Sequence, residues 1–209
     1  MAKHAPGFWT ASTISPILTG KDPNKLLVGG INYAKRIALE RSGICNLELD
    51  LSAFSGNDAT EWGNTYEAEA VERYEAAMFA DVHGQQSHFI DGWTSCTPDG
   101  LIGSDGLVEI KCPYNPEKHF ANLTDAAWLS DYNDQVQFQM MLTGRQWCDL
   151  VSYDPRCTEP HDLVVARVYR DNDYIELMRT RINLAEVVVA ETLGRIAQIG
   201  KVQKFEIKK

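Results

Sequence analysis

The segment from Trp93 to Pro113 constrains the fold most, because its pattern is typical of two paired β-strands. Two runs rich in apolar residues, 93–103 and 107–111, flank the turn sequence Ser104-Asp105-Gly106, which favours an antiparallel hairpin. The second strand is expected to end at Cys112-Pro113, since proline cannot donate a hydrogen bond to a sheet. The chain therefore has to build a sheet around this hairpin.

Helix-type segments surround these strands. A helix start is predicted at Thr10-Ala11-Ser12-Thr13, and longer helices are predicted over 24–42, 58–79, 126 or 131 to 143, and 173–199. Further strands are predicted over 87–90, 148–153 and 162–169. The order α-α-α-β-β-β-α-β-β-α predicts an α/β protein of the α+β type, with a central mixed sheet and helices on both faces. We see no internal repeat or linker, so a single domain over residues 1–209 is expected.

Composition excludes several classes of protein. The five cysteines are odd in number and lack short paired spacings, which argues against a disulfide framework. No apolar run approaches the roughly 20 residues that a membrane span needs, and the first residues do not resemble a signal peptide. A soluble cytoplasmic protein without a membrane partner is expected.

The charge of the chain is unevenly distributed. The net charge of −9 by itself argues against nucleic acid as a partner, because phosphate binding favours a basic surface. Residues 46–110 hold 13 acidic side chains and one basic side chain, Arg73. Aromatic residues are interspersed with these acids, so the block is expected to fold, and its carboxylates need a positional explanation.

Two of these carboxylates, Asp99 and Glu109, lie on the predicted hairpin beside Lys111. Residues two apart in a strand share a face, so Glu109 and Lys111 point together while Ile110 points to the opposite layer. Two carboxylates beside an ammonium group suit a hard divalent cation such as Mg²⁺, and the lysine can orient an attacking water or neutralise charge on a phosphate. The alternative is a solvated ion pair between strands.

A third carboxylate, Glu67, lies on the predicted 58–79 helix. The apolar stripe of this helix is formed by residues four apart: Trp62, Tyr66, Ala70, Tyr74 and Met78. At about 100° per residue, Glu67 lies roughly 60° from the centre of the stripe. An inward carboxylate needs a partner or a metal ion. The alternative is a glutamate at the core edge bonded to a tyrosine or to Lys111.

Five motifs in this order resemble those of the phage lambda exonuclease and YqaJ-type viral recombinase family: Trp62-Gly63-Asn64-Thr65-Tyr66-Glu67, Cys96-Thr97-Pro98-Asp99-Gly100, Glu109-Ile110-Lys111-Cys112-Pro113, Gln135-Val136-Gln137 and Tyr153-Asp154-Pro155-Arg156. The resemblance implies the PD-(D/E)XK nuclease fold. It also implies Mg²⁺-dependent, 5′-to-3′ degradation of one strand of linear double-stranded DNA by a homotrimeric ring, which works beside a single-strand annealing protein in recombination. One or two Mg²⁺ ions are expected, with Mn²⁺ as a candidate substitute.

The resemblance also implies roles for individual residues. Asp99 and Glu109 match the metal ligands, with the Ile110 carbonyl as a further ligand, and Glu67 matches the helix glutamate that serves the metal site. Lys111 matches the catalytic lysine. Gln135 matches a glutamine near the scissile or terminal phosphate, and Gln137 is its weaker neighbour.

A pocket for the 5′-terminal phosphate is implied at Ser12 and Thr97. The family has an arginine five residues before its Thr-Ala-Ser run, and this chain has Ala5 there. Lys3, His4 or another cation are the candidates to replace it.

Other functions remain open at this stage. A site- or structure-directed endonuclease of the same fold would share the metal site, and a non-catalytic DNA-binding subunit would keep the fold alone. The scattered cysteines do not fit an iron–sulfur nuclease, and a zinc site built from His83, His88, Cys96 and Cys112 fits no standard spacing. The C-terminal lysines are either a solvated tail or a contact to the DNA backbone: Lys201, Lys204, Lys208 and Lys209.

The position of the acids changes what the net charge implies. Glu67, Asp99 and Glu109 all fall in the acidic block, where a bound Mg²⁺ would reverse the local sign presented to a phosphate. The charge of −9 therefore does not exclude DNA.

Overall fold

The structure is a computed structural model that describes residues 6–44 and 58–200 of the 209-residue chain. The sequence predictions for Ala5, Lys3 and His4, for Cys45 and for the C-terminal lysines lie outside these residues. The four cysteines within them, Cys96, Cys112, Cys148 and Cys157, are free thiols, as expected. Among the described helices, none combines the length and apolar character needed to cross a membrane.

The helices follow the predicted order with one addition. They are α1 Ser15–Leu18, α2 Val28–Ser42, α3 Asp58–Met78, α4 Pro116–Thr124, α5 Leu129–Thr143 and α6 Asn172–Ala197. Short 3-10 turns cover Ala11–Thr13 and Ala126–Trp128. The strands are β1 Trp9–Thr10, β2 Val82–His83, β3 Phe89–Asp91, β4 Thr94–Cys96, β5 Gly100–Ile102, β6 Gly106–Lys111, β7 Trp147–Tyr153 and β8 Leu163–Tyr169.

These strands form two sheets. The larger sheet has the order β2-β5-β6-β7-β8 and is mixed, because β6 and β7 run parallel whereas its other neighbours are antiparallel. The smaller sheet has the order β1-β4-β3, with β1 parallel to β4. The prediction of a mixed sheet is confirmed.

The strand predicted over 93–103 is wrong as a single element. It divides into β4 and β5, which belong to different sheets, and Pro98 lies between them. Proline cannot donate to a ladder, so pairing stops there and the chain passes from the small sheet to the large one. β5 then starts at Gly100, where a Cβ atom would lie only 2.2 Å from Cγ1 of Val82.

Helix ends were predicted better than helix starts. α2 and α5 end at Gly43 and Gly144, whose φ angles of 66° and 73° are left-handed, as glycine C-caps predict. The predicted start at Thr10 is instead β1 followed by a 3-10 turn. α4 was missed, although Asn115 caps it by accepting a hydrogen bond from the Glu117 N–H.

The side chains of β6 alternate between the two faces of the large sheet, and a helix covers each face. Val108 and Ile110 pack against Ala70 and Tyr74 of α3. On the opposite face, Leu107 packs with α5 residues in a second cluster. The predicted division of β6 into two faces is therefore confirmed, and Glu109 and Lys111 share the face of α5.

Arg181 on α6 is the largest charged side chain in the core and has no exposed surface. Its guanidinium donates hydrogen bonds to backbone carbonyls of the 17–25 segment: Ile17, Thr19, Gly20, Asp22 and Lys25. The side chain thus fixes the backbone between α1 and α2 against α6.

Replacing Arg181 by leucine is expected to lower the free energy of unfolding by about 3 kcal/mol or more, since several buried carbonyls lose charged donors. Urea unfolding of the purified protein measures this. Arg179→Ala is the matched control, because Arg179 is exposed and its contact to Glu176 is 3.7 Å long; it should change stability by less than about 0.5 kcal/mol. Equal stability of the two variants would contradict the structural role of Arg181.

Candidate active site

Glu109 on β6 lies at the centre of a cluster of polar side chains. Only 3% of its surface is exposed, although it is a carboxylate. The Nζ of Lys111, two residues along the same strand, lies 2.6 Å from Glu109 Oε1. This contact follows from strand geometry, which places the two side chains on one face.

Helix α5 supplies two more donors to Glu109. Gln135 Nε2 donates to Oε1 at 2.5 Å and Gln139 Nε2 donates to Oε2 at 2.7 Å. Gln135 also accepts a hydrogen bond from Lys111 Nζ at 3.2 Å. Both oxygens of the buried carboxylate are therefore held by donors from the strand and the helix, which fixes its orientation.

The structure corrects one of the glutamine predictions. Gln137 does not reach the cluster: its amide donates to the Tyr169 carbonyl at 2.8 Å and accepts from the Asp171 N–H at 2.9 Å. Residues two apart on a helix point about 200° apart, whereas residues four apart share a face. The spacing from Gln135 to Gln139 is the sequence pattern that could have identified Gln139, which was missed.

Asp99 joins the cluster from the junction of the two sheets. Its Oδ2 accepts a hydrogen bond from the Ile110 N–H at 2.6 Å, so the carboxylate lies against the strand that carries Glu109 and Lys111. The prediction that Asp99 approaches these residues in space is confirmed. Asp99 reaches this position because it is the last residue of the short connection, residues 97–99, between β4 and β5.

The electrostatics of the cluster show an excess of negative charge. Burial, and then the charge of Glu109, raise the pKa of Asp99 well above its ordinary range. The same two causes raise the pKa of Glu67. Burial acts to lower the pKa of Lys111, but the charge of Glu109 and its hydrogen bond outweigh this and raise it overall, so the lysine is an ammonium group.

Glu67 approaches from the other side of the sheet. It is half-buried on α3, which packs on the face of Val108 and Ile110, whereas Glu109 points toward α5. In residues 6–44 and 58–200, no three His, Cys, Asp or Glu side chains form a group that could hold a metal ion. Glu67 acts on the site through its charge in this structure, and its role as a ligand stays a prediction.

Ser12 and Thr97 lie at the same end of the small sheet. The parallel register pairs Thr10 with Ser95, so each residue follows two positions after a paired one. Ser12 is exposed, and Thr97 Oγ1 lies 2.9 Å from His88 Nδ1. Thr97 is also two residues from Asp99, so this end of the small sheet borders the cluster.

The donor set of the cluster fits a hard divalent cation such as Mg²⁺. Asp99 and Glu109 offer carboxylate oxygens, and their mutual repulsion is the kind that a cation relieves. The N–H of Ile110 points to Asp99, and the N–H and C=O of an extended residue point to the same side of a strand, so its carbonyl faces the same space. Lys111 forms an ion pair with Glu109 in this structure. A bound metal ion would share the Glu109 carboxylate with Lys111.

Comparison with known proteins agrees with this arrangement. Residues 6–146 match the sequence profile of the YqaJ-like viral recombinase domain. The chain belongs to this family. The matched region includes β1, the hairpin of Asp99 and Glu109, and helix α5, so the residues of the cluster all lie within the YqaJ-like domain.

Solved structures extend the similarity beyond the YqaJ-like profile. The chain is similar to an alkaline exonuclease (LHK-Exo) from Laribacter hongkongensis, with 26% identity, a TM-score of 0.78, and coverage of 92% of this chain and 93% of that one. For LHK-Exo in complex with dAMP the identity is 29%, the TM-score is 0.72 and the coverages are 93% and 92%. The implied PD-(D/E)XK-like fold is thereby confirmed.

A phage-related exonuclease from Haemophilus somnus 129PT shares the fold, with 14% identity, a TM-score of 0.76, and coverage of 90% of this chain and 96% of that one. A comparison with curated protein sequences gave no match.

Asp99→Asn is expected to stabilise the metal-free protein at pH 7 to 8. The folded state raises the pKa of Asp99 above the ordinary value of 3.8, so the ionised group destabilises the fold at neutral pH. This difference between variant and wild type should shrink as the pH falls below about 4, where the carboxyl is protonated in both states. Urea unfolding in EDTA across this pH range measures it.

The control for this experiment is Asp81→Asn, since Asp81 is exposed and should show little difference at any pH. Added Mg²⁺ should stabilise the wild type and not Asp99→Asn, because a ligand stabilises only the state that binds it. A destabilised Asp99→Asn protein in EDTA would show that the carboxylate is held by favourable contacts instead.

Gln139→Leu is expected to weaken divalent-metal binding by about tenfold or more, as loss of a partner that orients a metal ligand typically does. Titration with Mn²⁺ followed by electron paramagnetic resonance measures the affinity without a cleavage assay. Gln137→Leu is the matched control on the same helix: it should lower stability and leave Mn²⁺ affinity within about twofold. Equal Mn²⁺ affinities for the Gln139→Leu and Gln137→Leu variants would contradict a role for Gln139 in orienting Glu109.

Proposed function

We propose that this protein is a Mg²⁺-dependent exonuclease that degrades one strand of linear double-stranded DNA from 5′ to 3′ and leaves 3′ single-stranded overhangs. The observation that carries the proposal is the meeting of Asp99, Glu109, Lys111 and Gln135 in one cluster. These residues lie in a chain of the YqaJ-like recombinase family that is similar along nearly its whole length to an alkaline exonuclease.

Asp99, Glu109 and the Ile110 carbonyl would hold one Mg²⁺, and Glu67 would serve a second ion. When bound, the metal supplies Lewis acidity toward the phosphate and stabilises the leaving oxygen. Mn²⁺ would substitute for Mg²⁺ in this site, because both ions prefer oxygen ligands.

Lys111 has the geometry to position the attacking water. Its ammonium group is held between Glu109 Oε1 and Gln135 Oε1, at 2.6 Å and 3.2 Å, which leaves one of its three N–H donors for another partner. Held in this way, it can orient a water or offset negative charge as it develops on the phosphate. Gln135 anchors the lysine and lies where it can reach the same phosphate.

The 5′-to-3′ direction of degradation would be set by residues at the end of the small sheet that borders the cluster. We assign Ser12 and Thr97 to the 5′-terminal phosphate, since both are hydroxyl residues that follow paired strands at the same end of that sheet. Thr97 is joined to Asp99 through Pro98 alone, which couples recognition of the strand end to the reacting phosphate.

We also propose that the protein works with further copies of itself and with an annealing protein. A homotrimeric ring would keep the duplex threaded during degradation, and a single-strand annealing protein would take up the 3′ overhang for recombination. A cytoplasmic location is expected, because the substrate is DNA that enters recombination there.

The test is digestion of linear duplexes that carry a 5′-phosphate or a 5′-hydroxyl and a label at one end. We expect mononucleotide release from the 5′ end that requires Mg²⁺, stops in EDTA and is faster on the phosphorylated end. Cleavage of circular duplex DNA would favour an endonuclease, and the absence of any cleavage with Mg²⁺ or Mn²⁺ would favour a non-catalytic DNA-binding subunit.

Lys111→Ala in the same assay is expected to reduce cleavage by at least about 10²-fold, the scale of effect for loss of an electrostatic group that acts on the transition state. Binding of duplex DNA, measured by fluorescence anisotropy, should stay within about threefold of wild type. Normal turnover by this variant would rule out the assigned catalytic role.

A further inference from the structure

The Tyr153-Asp154-Pro155-Arg156 motif has no role in the proposed mechanism, whereas each of the other four motifs that resemble the YqaJ-type family supplies a residue to it. Its first residue ends β7, and the other three lie in the turn that follows. Asp154 has no exposed surface although it is a carboxylate. Because a buried charge needs partners, the contacts of this motif indicate what it holds in place.

Asp154 fixes the orientation of Arg156. The backbone N–H and Nε of Arg156 donate to Asp154 Oδ1 at 3.0 Å and 2.8 Å, and Nη2 donates to Oδ2 at 2.7 Å. Burial acts to raise the pKa of Asp154, but the hydrogen bonds from Arg156 outweigh it and lower the pKa, so the carboxylate is ionised. Two parallel bonds between a guanidinium and a carboxylate set the plane of the guanidinium.

The fixed guanidinium of Arg156 contacts two other parts of the chain. It donates to the carbonyls of Tyr114 and Pro113, just after β6, at 3.0 Å and 3.2 Å. Its Cζ also lies 4.4 Å from the centre of the Trp62 ring near the start of α3, and that ring meets the Tyr114 ring edge-on at 5.9 Å. One side chain thus joins the end of β6 to the start of α3.

Two further contacts fasten α3 to the same turn. The Tyr153 hydroxyl donates to Glu69 Oε1 at 2.6 Å. Arg73 donates two hydrogen bonds to Asp162, at 2.6 Å and 3.2 Å, and the Asp162 carbonyl accepts from the Asp154 N–H at 3.0 Å. The single cation of the acidic block 46–110 therefore ties α3 to the segment that carries the motif.

These contacts fix how α3 is rotated about its axis. Trp62, Glu69 and Arg73 are seven and four residues apart, so at about 100° per residue they lie within about 40° of one another on the helix surface. They also span about 16 Å along the axis, which opposes sliding as well as rotation. Glu67 lies about 140° from this stripe, on the side of Tyr74, which is buried against the sheet.

We propose that the motif positions Glu67 for the second metal ion by fixing α3 relative to the strand that carries Glu109. The inference rests on the proposed nuclease function, in which Glu67 serves that ion. The first ion does not depend on the motif, because Asp99 accepts a hydrogen bond from the backbone of β6 and Glu109 is held by α5. Arg156 is therefore a positioning residue that acts through α3.

The test is titration with Mn²⁺ followed by electron paramagnetic resonance, which counts the bound ions and gives an affinity for each. The wild type should bind two ions, and Glu67→Gln should identify the second by weakening it alone. Arg156→Ala should weaken the same ion by about tenfold or more and leave the first within about twofold, as loss of a partner outside the ligand shell does. Tyr153→Phe keeps the buried ring and should weaken the second ion by about threefold, since only one hydrogen bond is lost.

Arg167→Ala is the matched control. Arg167 donates to the buried Asp149 at 2.7 Å and 2.9 Å, and its guanidinium lies 3.7 Å from the centre of the Trp147 ring. It thus repeats the chemistry of Arg156, but these partners both lie on β7. This variant should unfold at lower urea concentration than the wild type and keep both Mn²⁺ affinities within about twofold.

Three results would overturn the proposal: a wild type that binds a single Mn²⁺, Arg156→Ala and Tyr153→Phe proteins that bind both ions as the wild type does, or equal losses for Arg156→Ala and Arg167→Ala. Digestion of linear duplex DNA by the wild type, assayed in parallel, tests the nuclease function separately. If the wild type cleaves DNA and any of the three results is found, the enzyme stands and the role of the motif falls. If it fails to cleave DNA, the nuclease function falls, and the Mn²⁺ affinities still decide what the motif does.

Discussion

Burial of the Glu109 carboxylate is the constraint on which the site depends. A charged group in the interior of a protein is destabilising by several kcal/mol unless hydrogen bonds and an opposite charge offset the loss of water. Lys111, Gln135 and Gln139 supply these partners, and two of them come from α5. The rotation of that helix about its axis is therefore fixed by the carboxylate that it serves. The polar network sets the packing of helix on sheet together with the apolar residues Leu107, Val136 and Met140.

The second constraint is the junction between the two sheets. Glu109 and Lys111 belong to the large sheet, whereas Ser12 and Thr97 follow strands of the small one. Asp99 stands between them, one residue after the proline that ends pairing in β4. The proposed site for the end of a DNA strand and the proposed site for the reacting phosphate would thus be placed independently, because each sheet has its own core and the connection is only three residues long.

Much of the fold could be predicted from the sequence, since strand alternation and glycine caps are local. The shared face of Glu109 and Lys111 followed from a two-residue period. Three features could not be predicted in the same way. Pro98 explains why β4 and β5 are separate strands, but the place of β4 in a second sheet depends on β1 pairing beside Thr94, a contact between distant residues. The Gln135-Val136-Gln137 motif names Gln137 as the neighbour of Gln135, whereas the helical period places Gln139 beside Gln135 on Glu109. The position of Glu67 relative to Glu109 could not be predicted, because it depends on which face of the sheet α3 covers.

The attachment of β1 has a consequence for when the enzyme becomes complete. Trp9 of this strand has no exposed surface, and its indole N–H donates to Glu186, 177 residues later in the chain. Arg41 binds the same carboxylate through two hydrogen bonds of 2.7 Å. Contacts between such distant residues slow folding, because a long loop has to close before they can form. During synthesis, the hairpin of Glu109 and Lys111 leaves the ribosome well before α6 can secure β1. Until α6 has been synthesised, the strand that precedes Ser12 therefore lacks its contact to Glu186, although Glu109 and Lys111 are already present in the chain.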